Sequence, residues 1–260
     1  MSSWIQNFPT RLSNKLNTYW LRFRDVEIQQ GYAKGLLFRT GSGNPEYGLG
    51  INEIPVQEIL VDLLKPGLVF YDIGANVGFF SMIAAKYLDP NGRVYAFEPL
   101  PENAKAIQHN ASINNFLQVD VIQKAVSNHS GKERLLVSDF SGGSSLESGD
   151  RPPDLVGEIE VDVVTIDDFI ISENASPPDV VKIDVEGVEI NVLEGMKETI
   201  AEFRPVVIYE IDDDKQENYD RKEKACEQYL LTCGYSIEKL GEGYPGNAWI
   251  VGHYIARPNN

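Results

Sequence analysis

The stretch Val69-Phe70-Tyr71-Asp72-Ile73-Gly74-Ala75-Asn76-Val77-Gly78-Phe79-Phe80-Ser81 decides the fold. An apolar run ends in an acid, passes through two glycines and opens into an amphipathic helix. A second apolar run, Arg93-Val94-Tyr95-Ala96-Phe97, ends in Glu98-Pro99. Strand, turn, helix and strand in that order, with an acid at each strand tip, form a unit that holds a nucleoside-bearing ligand at the C-terminal edge of a parallel sheet.

The turn narrows the ligand. A dinucleotide site reads Gly-x-Gly-x-x-Gly, and its middle glycine lets the backbone approach a pyrophosphate. Here Asn76 replaces that glycine, and Asp72 adds negative charge where phosphates would sit. A carboxylate there suits an ammonium or sulfonium group. Glu98 suits a ribose, because an ionised carboxylate only accepts hydrogen bonds and can take two hydroxyls. A cation beside a ribose describes S-adenosylmethionine. The expected cofactor contacts are Asp72, Gly74, Asn76 and Gly78 around the methionine part and Glu98 at the ribose. Pro99 and Leu100 pack on the adenine, and Ala125 and Val126 close its pocket, with Lys124 nearby. Glu53, Tyr47 and Asn52 form a wall at the mouth; Asn52 is alternatively a helix cap.

Working outward, strands and helices alternate. Helices are expected over 53–64, 78–88, 101–113, 188–201 and 215–231, and strands over 68–73, 93–97, 119–126, 180–183 and 205–211. Two extra strands, 132–138 and 158–164, flank a Gly- and Ser-rich loop whose Ser144 and Ser145 are candidate lid residues. Such alternation implies a parallel sheet covered on both faces. At the C-terminal end the rule breaks. Strands 236–240 and 248–255 are joined by Gly241-Glu242-Gly243-Tyr244-Pro245-Gly246 alone. A link that short permits only an antiparallel hairpin. The expectation is an α/β fold of the class I methyltransferase (Rossmann-like) type. Its seven-stranded sheet is mostly parallel and closes with an antiparallel C-terminal strand. An N-terminal helical and hairpin extension (1–52) precedes a methyltransferase domain (53–260).

Composition bounds the partners. The 260 residues carry a formal charge of −16, which disfavours nucleic acid as a partner. The acidity is uneven: residues 1–24 hold Arg11, Lys15, Arg22 and Arg24 and no acid. Leu12, Leu16, Tyr19, Trp20 and Phe23 make a helical apolar face beside them. That helix is read as a brace on its own domain; peripheral contact with the inner face of a membrane is the alternative. Cys226 and Cys233 make neither a disulfide framework nor a four-ligand zinc site, so a reducing cytoplasm is expected.

Three motif groups add a resemblance. Asp72-Ile73-Gly74-Ala75-Asn76-Val77-Gly78, Phe97-Glu98-Pro99 and Val181-Lys182-Ile183-Asp184-Val185-Glu186-Gly187-Val188-Glu189 resemble the FkbM-type methyltransferases. Val192-Leu193-Glu194-Gly195-Met196 and Ala125-Val126-Ser127 match as well, so the likeness spans roughly residues 45 to 255. It implies O-methyl transfer from S-adenosylmethionine to a hydroxyl of a sugar, glycan or natural product. A nicotinamide-dependent oxidoreductase and a non-catalytic, membrane-associated binding module are the alternatives.

A sugar hydroxyl needs a base or a metal to remove its proton. Asp184, at a strand tip on the same edge as Asp72 and Glu98, is the first candidate base. Glu210 ends the next strand, and His253 lies in the last one. Mg²⁺ on Asp184, Glu210 and Asp212 is the less favoured alternative. Glu186 is open to either a site or a helix-dipole role, and Glu189 is read as a helix-dipole acid. Lys182 is expected to snorkel or pair with an acid. His109 is expected to be exposed, and His129 to lie in a turn.

Overall fold

The computed structural model describes residues 23–41, 43–139, 143–241, 243 and 249–259. All but the last residue of the basic helical face at Leu12–Phe23, and most of the link at Gly241–Gly246, lie outside them. The chain order is β1 (Val26–Glu27), β2 (Leu37–Phe38), a 3₁₀ turn (Pro45–Leu49), α1 (Ile54–Leu63), β3 (Val69–Ile73), α2 (Phe79–Tyr87), β4 (Arg93–Phe97), α3 (Pro101–Ile113), β5 (Val119–Ile122), β6 (Ala125–Val126), β7 (Gly131–Ser138), β8 (Ser145–Leu146), β9 (Leu155–Val164), α4 (Ile166–Ser172), β10 (Val180–Ile183), α5 (Glu189–Glu194), α6 (Lys197–Phe203), β11 (Val206–Asp213), α7 (Gln216–Thr232), β12 (Tyr235–Lys239) and β13 (Ile250–Pro258).

Seven strands form one sheet in the order β12-β13-β11-β10-β3-β4-β5. Pairing is parallel from β11 through β10, β3 and β4 to β5. β13 runs antiparallel to both β11 and β12. The short C-terminal link required that reversal, and it separates this sheet from an all-parallel dinucleotide-binding one. Strand order turns round between β3 and β10, so the crevice for a ligand opens beyond their carboxyl ends.

Successive residues of a strand point to opposite faces. Phe70 accordingly joins the core under α1–α3 with Val56, Leu60, Ile83 and Ile107, while Tyr71 joins Phe169, Val192, Ile200 and Leu230 under α4–α7. Burying such side chains contributes about 1.5–3 kcal/mol each, and truncating Phe70 to alanine would cost about 3–5 kcal/mol. The described part of the N-terminal extension belongs to the first of these cores through Ile28, Leu36 and Phe38. Asn110 Oδ1 on α3 accepts the Arg39 N–H at 2.9 Å, and Asn114 Oδ1 accepts the Leu37 N–H at 3.0 Å. The boundary at residues 52 and 53 therefore falls within one continuous core.

Three expectations need correction, and one helix was missed. The strand expected over 119–126 divides: β5 stays in the large sheet, and β6 crosses to a four-stranded sheet ordered β6-β9-β7-β8. The helix expected over 188–201 breaks into α5 and α6. A Cβ on Gly195 would lie 2.0 Å from the Ser127 carbonyl oxygen, so only glycine fits at the break, beside the loop after β6. β11 runs on to Asp213 because Asp212 and Asp213 pair with Val251 and Ile250, two residues past the expected strand end at Ile211. Helix α4 was not anticipated, although Thr165 caps it by accepting the Asp168 N–H at 2.9 Å.

Candidate active site

The first glycine turn is shaped by close approach. Gly74 has φ +81°, and a Cβ there would lie 1.7 Å from the Asp184 carbonyl oxygen. Its N–H and that of Ala75 donate to the Phe97 carbonyl at 3.1 and 3.0 Å, tying the turn to the β4 tip. Asn76 follows in the left-handed region (φ 50°) and aims its N–H at Glu98 Oε2, 2.9 Å away. The Leu100 N–H donates to Glu98 Oε1 at 2.8 Å. Each carboxylate oxygen of Glu98 is thus fixed by one backbone donor and keeps a lone pair for a ligand hydroxyl. Burial pushes the Glu98 carboxyl up to about 8, and the two N–H bonds pull it back toward the ionised form.

A cleft with about 860 Å³ of empty space lies above this turn. Gly74, Asn76, Glu98, Pro99, Ala125 and Glu53 line it, all expected near the cofactor. Leu100, Val126, Leu135, Leu146 and Val188 supply an apolar slot near Glu98, with Lys124 beside it. Glu53, Asp184, Glu186 and Glu210 line the rest of the wall with carboxyl groups. Asp72 and Gly78, also expected there, are not among the lining residues. Asp72 is 1 % exposed and lies beneath the turn. Its Oδ2 accepts the Ser81 hydroxyl at 2.6 Å, and its Oδ1 is buried with no hydrogen-bond partner among the described residues. Gly78 has φ +85° and caps the N-terminus of α2, packed against Ile107.

At the next two strand tips, charges pair. Lys182 is buried over the Phe80 ring and donates to Asp184 Oδ2 at 2.8 Å. Burial works against the Lys182 charge, but Asp184, Glu53, Asp72 and Glu210 outweigh it and raise its pKa. The register sets Glu210 on β11 opposite His253 on β13, so the two side chains share a face. His253 Nε2 lies 2.6 Å from Glu210 Oε2 and 3.3 Å from Glu53 Oε2. Burial opposes charge on His253, yet the hydrogen bonds to Glu210 and Glu53 carry its pKa up to about 10. His253 is therefore an imidazolium near neutral pH. It lines neither cleft and stands behind Glu210. Burial, then the charge of Asp184, raises Glu210 to about 8.

Glu53 sits in the left-handed region (φ 47°) and caps α1 with its backbone only. Asn52 is not the cap; its amide donates to Glu53 Oε1. Tyr47 lines the cleft and stacks on Phe79 with centroids 4.8 Å apart. Glu186 is left-handed as well (φ 57°) and faces the cleft, whereas Glu189 accepts the Gly187 N–H at 2.8 Å as a helix-start acid. His109 Nε2 binds Asp25 at 2.7 Å and is half-buried, and His129 is exposed.

A second chamber, about 1180 Å³ including its open mouth, lies beside the first and shares Asn44, Glu186 and Glu210 with it. The loop after β7 and the start of β13 enclose it, bringing in Ser145, Asp150, Asp154, Asp212 and Trp249. Ser144 lines the first chamber. Sequence reasoning missed Asn44, Asp150, Asp154 and Trp249; nothing in their local patterns ties them to the glycine turn.

Asp184, Glu210 and Asp212 are not brought together as metal ligands. Among the described residues the one group of three with donor atoms within 4.8 Å is Glu53, Glu210 and His253. Mg²⁺ demands octahedral oxygen ligands and keeps several waters. A buried imidazolium hydrogen-bonded between two carboxylates does not fit it. Among the described residues, no helix is long and apolar enough to cross a membrane.

Sheet order, glycine turn and acid-tipped strands together define a class I methyltransferase fold. The model of the methyltransferase FkbM domain matches residues 72–237, and the chain belongs to that family. It is 33 % identical over 162 residues to the 31-O-demethyl-FK506 methyltransferase FkbM of Streptomyces tacrolimicus, covering 52 % of this chain and 62 % of that protein. It is 24 % identical over 156 residues to the hexuronic acid methyltransferase AglP of Haloferax volcanii, covering 60 % and 61 %. Both alignments span less than two thirds of the relative's own length. The crystal structure of methyltransferase FkbM from Methylobacillus flagellatus superposes with a TM-score of 0.50 at 17 % identity, over 94 % of this chain and 59 % of that one. It shares the fold.

Proposed function

We propose that this chain is an S-adenosylmethionine-dependent O-methyltransferase whose acceptor is a hydroxyl of a sugar, glycan or natural product. The observation that carries the reading is the meeting of two chambers at Glu186 and Glu210, one built for a nucleoside and one open to an acceptor. When bound, S-adenosylmethionine supplies a methyl group on a positively charged sulfur, with a neutral thioether as leaving group.

The residues divide the work. Glu98, fixed by two N–H donors, holds the ribose hydroxyls, and the slot between Leu100, Ala125 and Val188 takes the adenine. The anionic wall of Glu53, Asp184 and Glu210 favours the cationic end and repels a pyrophosphate. Asp184 accepts a hydrogen bond from Lys182 and acts on the cofactor side. Glu210, at the junction, accepts the acceptor hydroxyl's proton; its raised pKa suits a general base. His253 and Glu53 hold Glu210 in place. Holding donor and acceptor in line supplies most of the acceleration, since effective molarities of roughly 10⁵ M and above come from position alone.

The test is methyl transfer from labelled S-adenosylmethionine to a panel of glycans and hydroxylated natural products, read by product mass. The expected product gains one methyl on oxygen. Methylation confined to nitrogen or carbon acceptors would overturn the reading.

A further inference from the structure

We propose that Lys222 is a positioning residue of the second chamber: from outside both chambers it docks the loop 147–154, which walls that chamber, onto the end of β11. The proposal rests on the methyltransferase reading only in taking that wall as the acceptor's.

Lys222 lies on α7 and is among the described lining of neither chamber, yet its side chain is only 10 % exposed. Its ammonium reaches three acceptors. Two belong to the end of β11: the Asp212 carbonyl, and Asp213 Oδ2 at 3.0 Å. Asp213 is buried, and its Oδ1 also accepts the Lys215 N–H at 2.9 Å and the Asn218 amide at 3.3 Å, so this end of the link is fixed. The third acceptor is Asp150 Oδ2, on the loop between β8 and β9. The Asp150 side chain is 49 % exposed. Burial works against the Lys222 charge, and Asp150 and Asp213 outweigh it. The lysine is thus a fixed post, and the loop carries the half-exposed group that docks on it.

Docking there places the wall. The run from Asp150 to Asp154 lines the second chamber, and Ser144 and Leu146 on the stem before it line the first. The loop also lies flush on the turn after β10. A Cβ on Gly187 would lie 2.6 Å from Asp150 Oδ2, and one on Gly149 would lie 2.9 Å from Val188 Cγ1 and 3.2 Å from the Glu186 carbonyl oxygen. Glu186 lines both chambers and Val188 the first, so the position of Asp150 bears on their junction as well as on the wall. The Ser145 hydroxyl donates to the Asp150 carbonyl, and the Gly149 N–H donates to the Leu146 carbonyl at 2.8 Å, so the loop moves with Asp150. A half-exposed ion pair contributes little to global stability and is screened by salt. The loop is therefore held by a contact that opens without unfolding the sheet beneath it.

The experiment is hydrogen exchange, read by mass spectrometry, on the full chain saturated with S-adenosylhomocysteine. Glu147, Ser148 and Gly149 report on the loop, because their amides donate to the Arg134 carbonyl, the Glu133 carboxylate and the Leu146 carbonyl. In the wild type their exchange should quicken when sodium chloride is raised to about 1 M, where the screening length is about 3 Å. Asp150→Asn should speed it about threefold at low salt, and Lys222→Met about tenfold, with the glycine turn unchanged. Both variants should lose the salt dependence, the double variant should exchange no faster than Lys222→Met, and Lys222→Arg should restore both protection and salt dependence. For an acceptor returned by the product-mass panel, Lys222→Met should raise its KM about tenfold and leave that of S-adenosylmethionine within about threefold. Asp150→Asn tests the loop on its own if Lys222→Met does not fold, and S-adenosylhomocysteine affinity reports folding. Exchange in the loop that is the same in Asp150→Asn as in the wild type, or that ignores salt in the wild type, would overturn the proposal, as would an equal rise in both KM values. Failure of the wild type to bind S-adenosylhomocysteine would instead overturn the function that makes the wall an acceptor's.

Discussion

The two halves of the sheet edge are built differently. On the side proposed for the methyl donor, at β3 and β4, one stretch from Val69 to Leu100 supplies the glycine turn, Glu98 and the backbone donors that fix it. On the acceptor side, at β10 and β11, the wall is gathered from Asn44, the loop after β7, Glu186, Glu210, Asp212 and Trp249. Backbone geometry determines the first half. Side chains from distant segments determine the second, where specificity can change without disturbing the turn. The difference teaches where each kind of substitution should be felt.

The sharpest way to break the comparison is at the junction. Glu210→Gln keeps size and hydrogen bonding but removes the base. Turnover should fall by about 10²–10⁴-fold while the S-adenosylhomocysteine Kd stays within about threefold. Equal losses in both would show that the halves are not separable. On the donor side, Glu98→Ala strips two backbone N–H groups of their acceptor along with the ribose contact. Cofactor affinity should drop about 100-fold, or about 2.7 kcal/mol, read by equilibrium dialysis with labelled S-adenosylmethionine. Asp184→Asn leaves Lys182 buried beside a neutral partner. It should lower turnover about tenfold, less than Glu210→Gln, and a larger loss would return the base role to Asp184.

pH separates the halves by smaller effects. With Glu210 as base and a carboxyl raised to about 8, kcat should rise with pH through that value, and the limb should flatten in Glu210→Gln. Stability of the ligand-free chain should move the opposite way. His253 is raised in the folded state from 6.5 to about 10, so its contribution is complete below 6.5 and is lost as pH climbs toward 10. Glu98 and Glu210 are raised from 4.5 to about 8, so the folded state binds more protons than the unfolded one across that window too. Denaturant midpoints should therefore decline from pH 5 to pH 9. His253→Gln should remove the upper part of the decline.

The same contrast explains how far the sequence could be read. The parallel order, the terminal hairpin and Glu98 at its strand tip were legible, because a glycine turn and a short link leave few backbone solutions. Asp72 was legible as a strand-end acid but not as one lying under the turn, since only packing against Ser81 decides that depth. Gly195 looked like an ordinary helical residue; the need for glycine beside the Ser127 carbonyl comes from a contact far away in sequence. Asp150, Asp154 and Trp249 carried no local signal because they meet only when the β7 loop and β13 fold over the same edge. His253 was visible as a strand residue, but its burial behind Glu210 depends on the antiparallel register.

Calorimetry of the intact chain with S-adenosylhomocysteine, and separately with NADH, addresses the central claim most directly: that the cleft beside Gly74 is an anion-walled nucleoside site for a cationic methyl donor. The account predicts saturable one-to-one binding of S-adenosylhomocysteine, sharply weakened by Glu98→Ala, and no measurable binding of NADH. Tight binding of NADH, or no heat with S-adenosylhomocysteine, would contradict it.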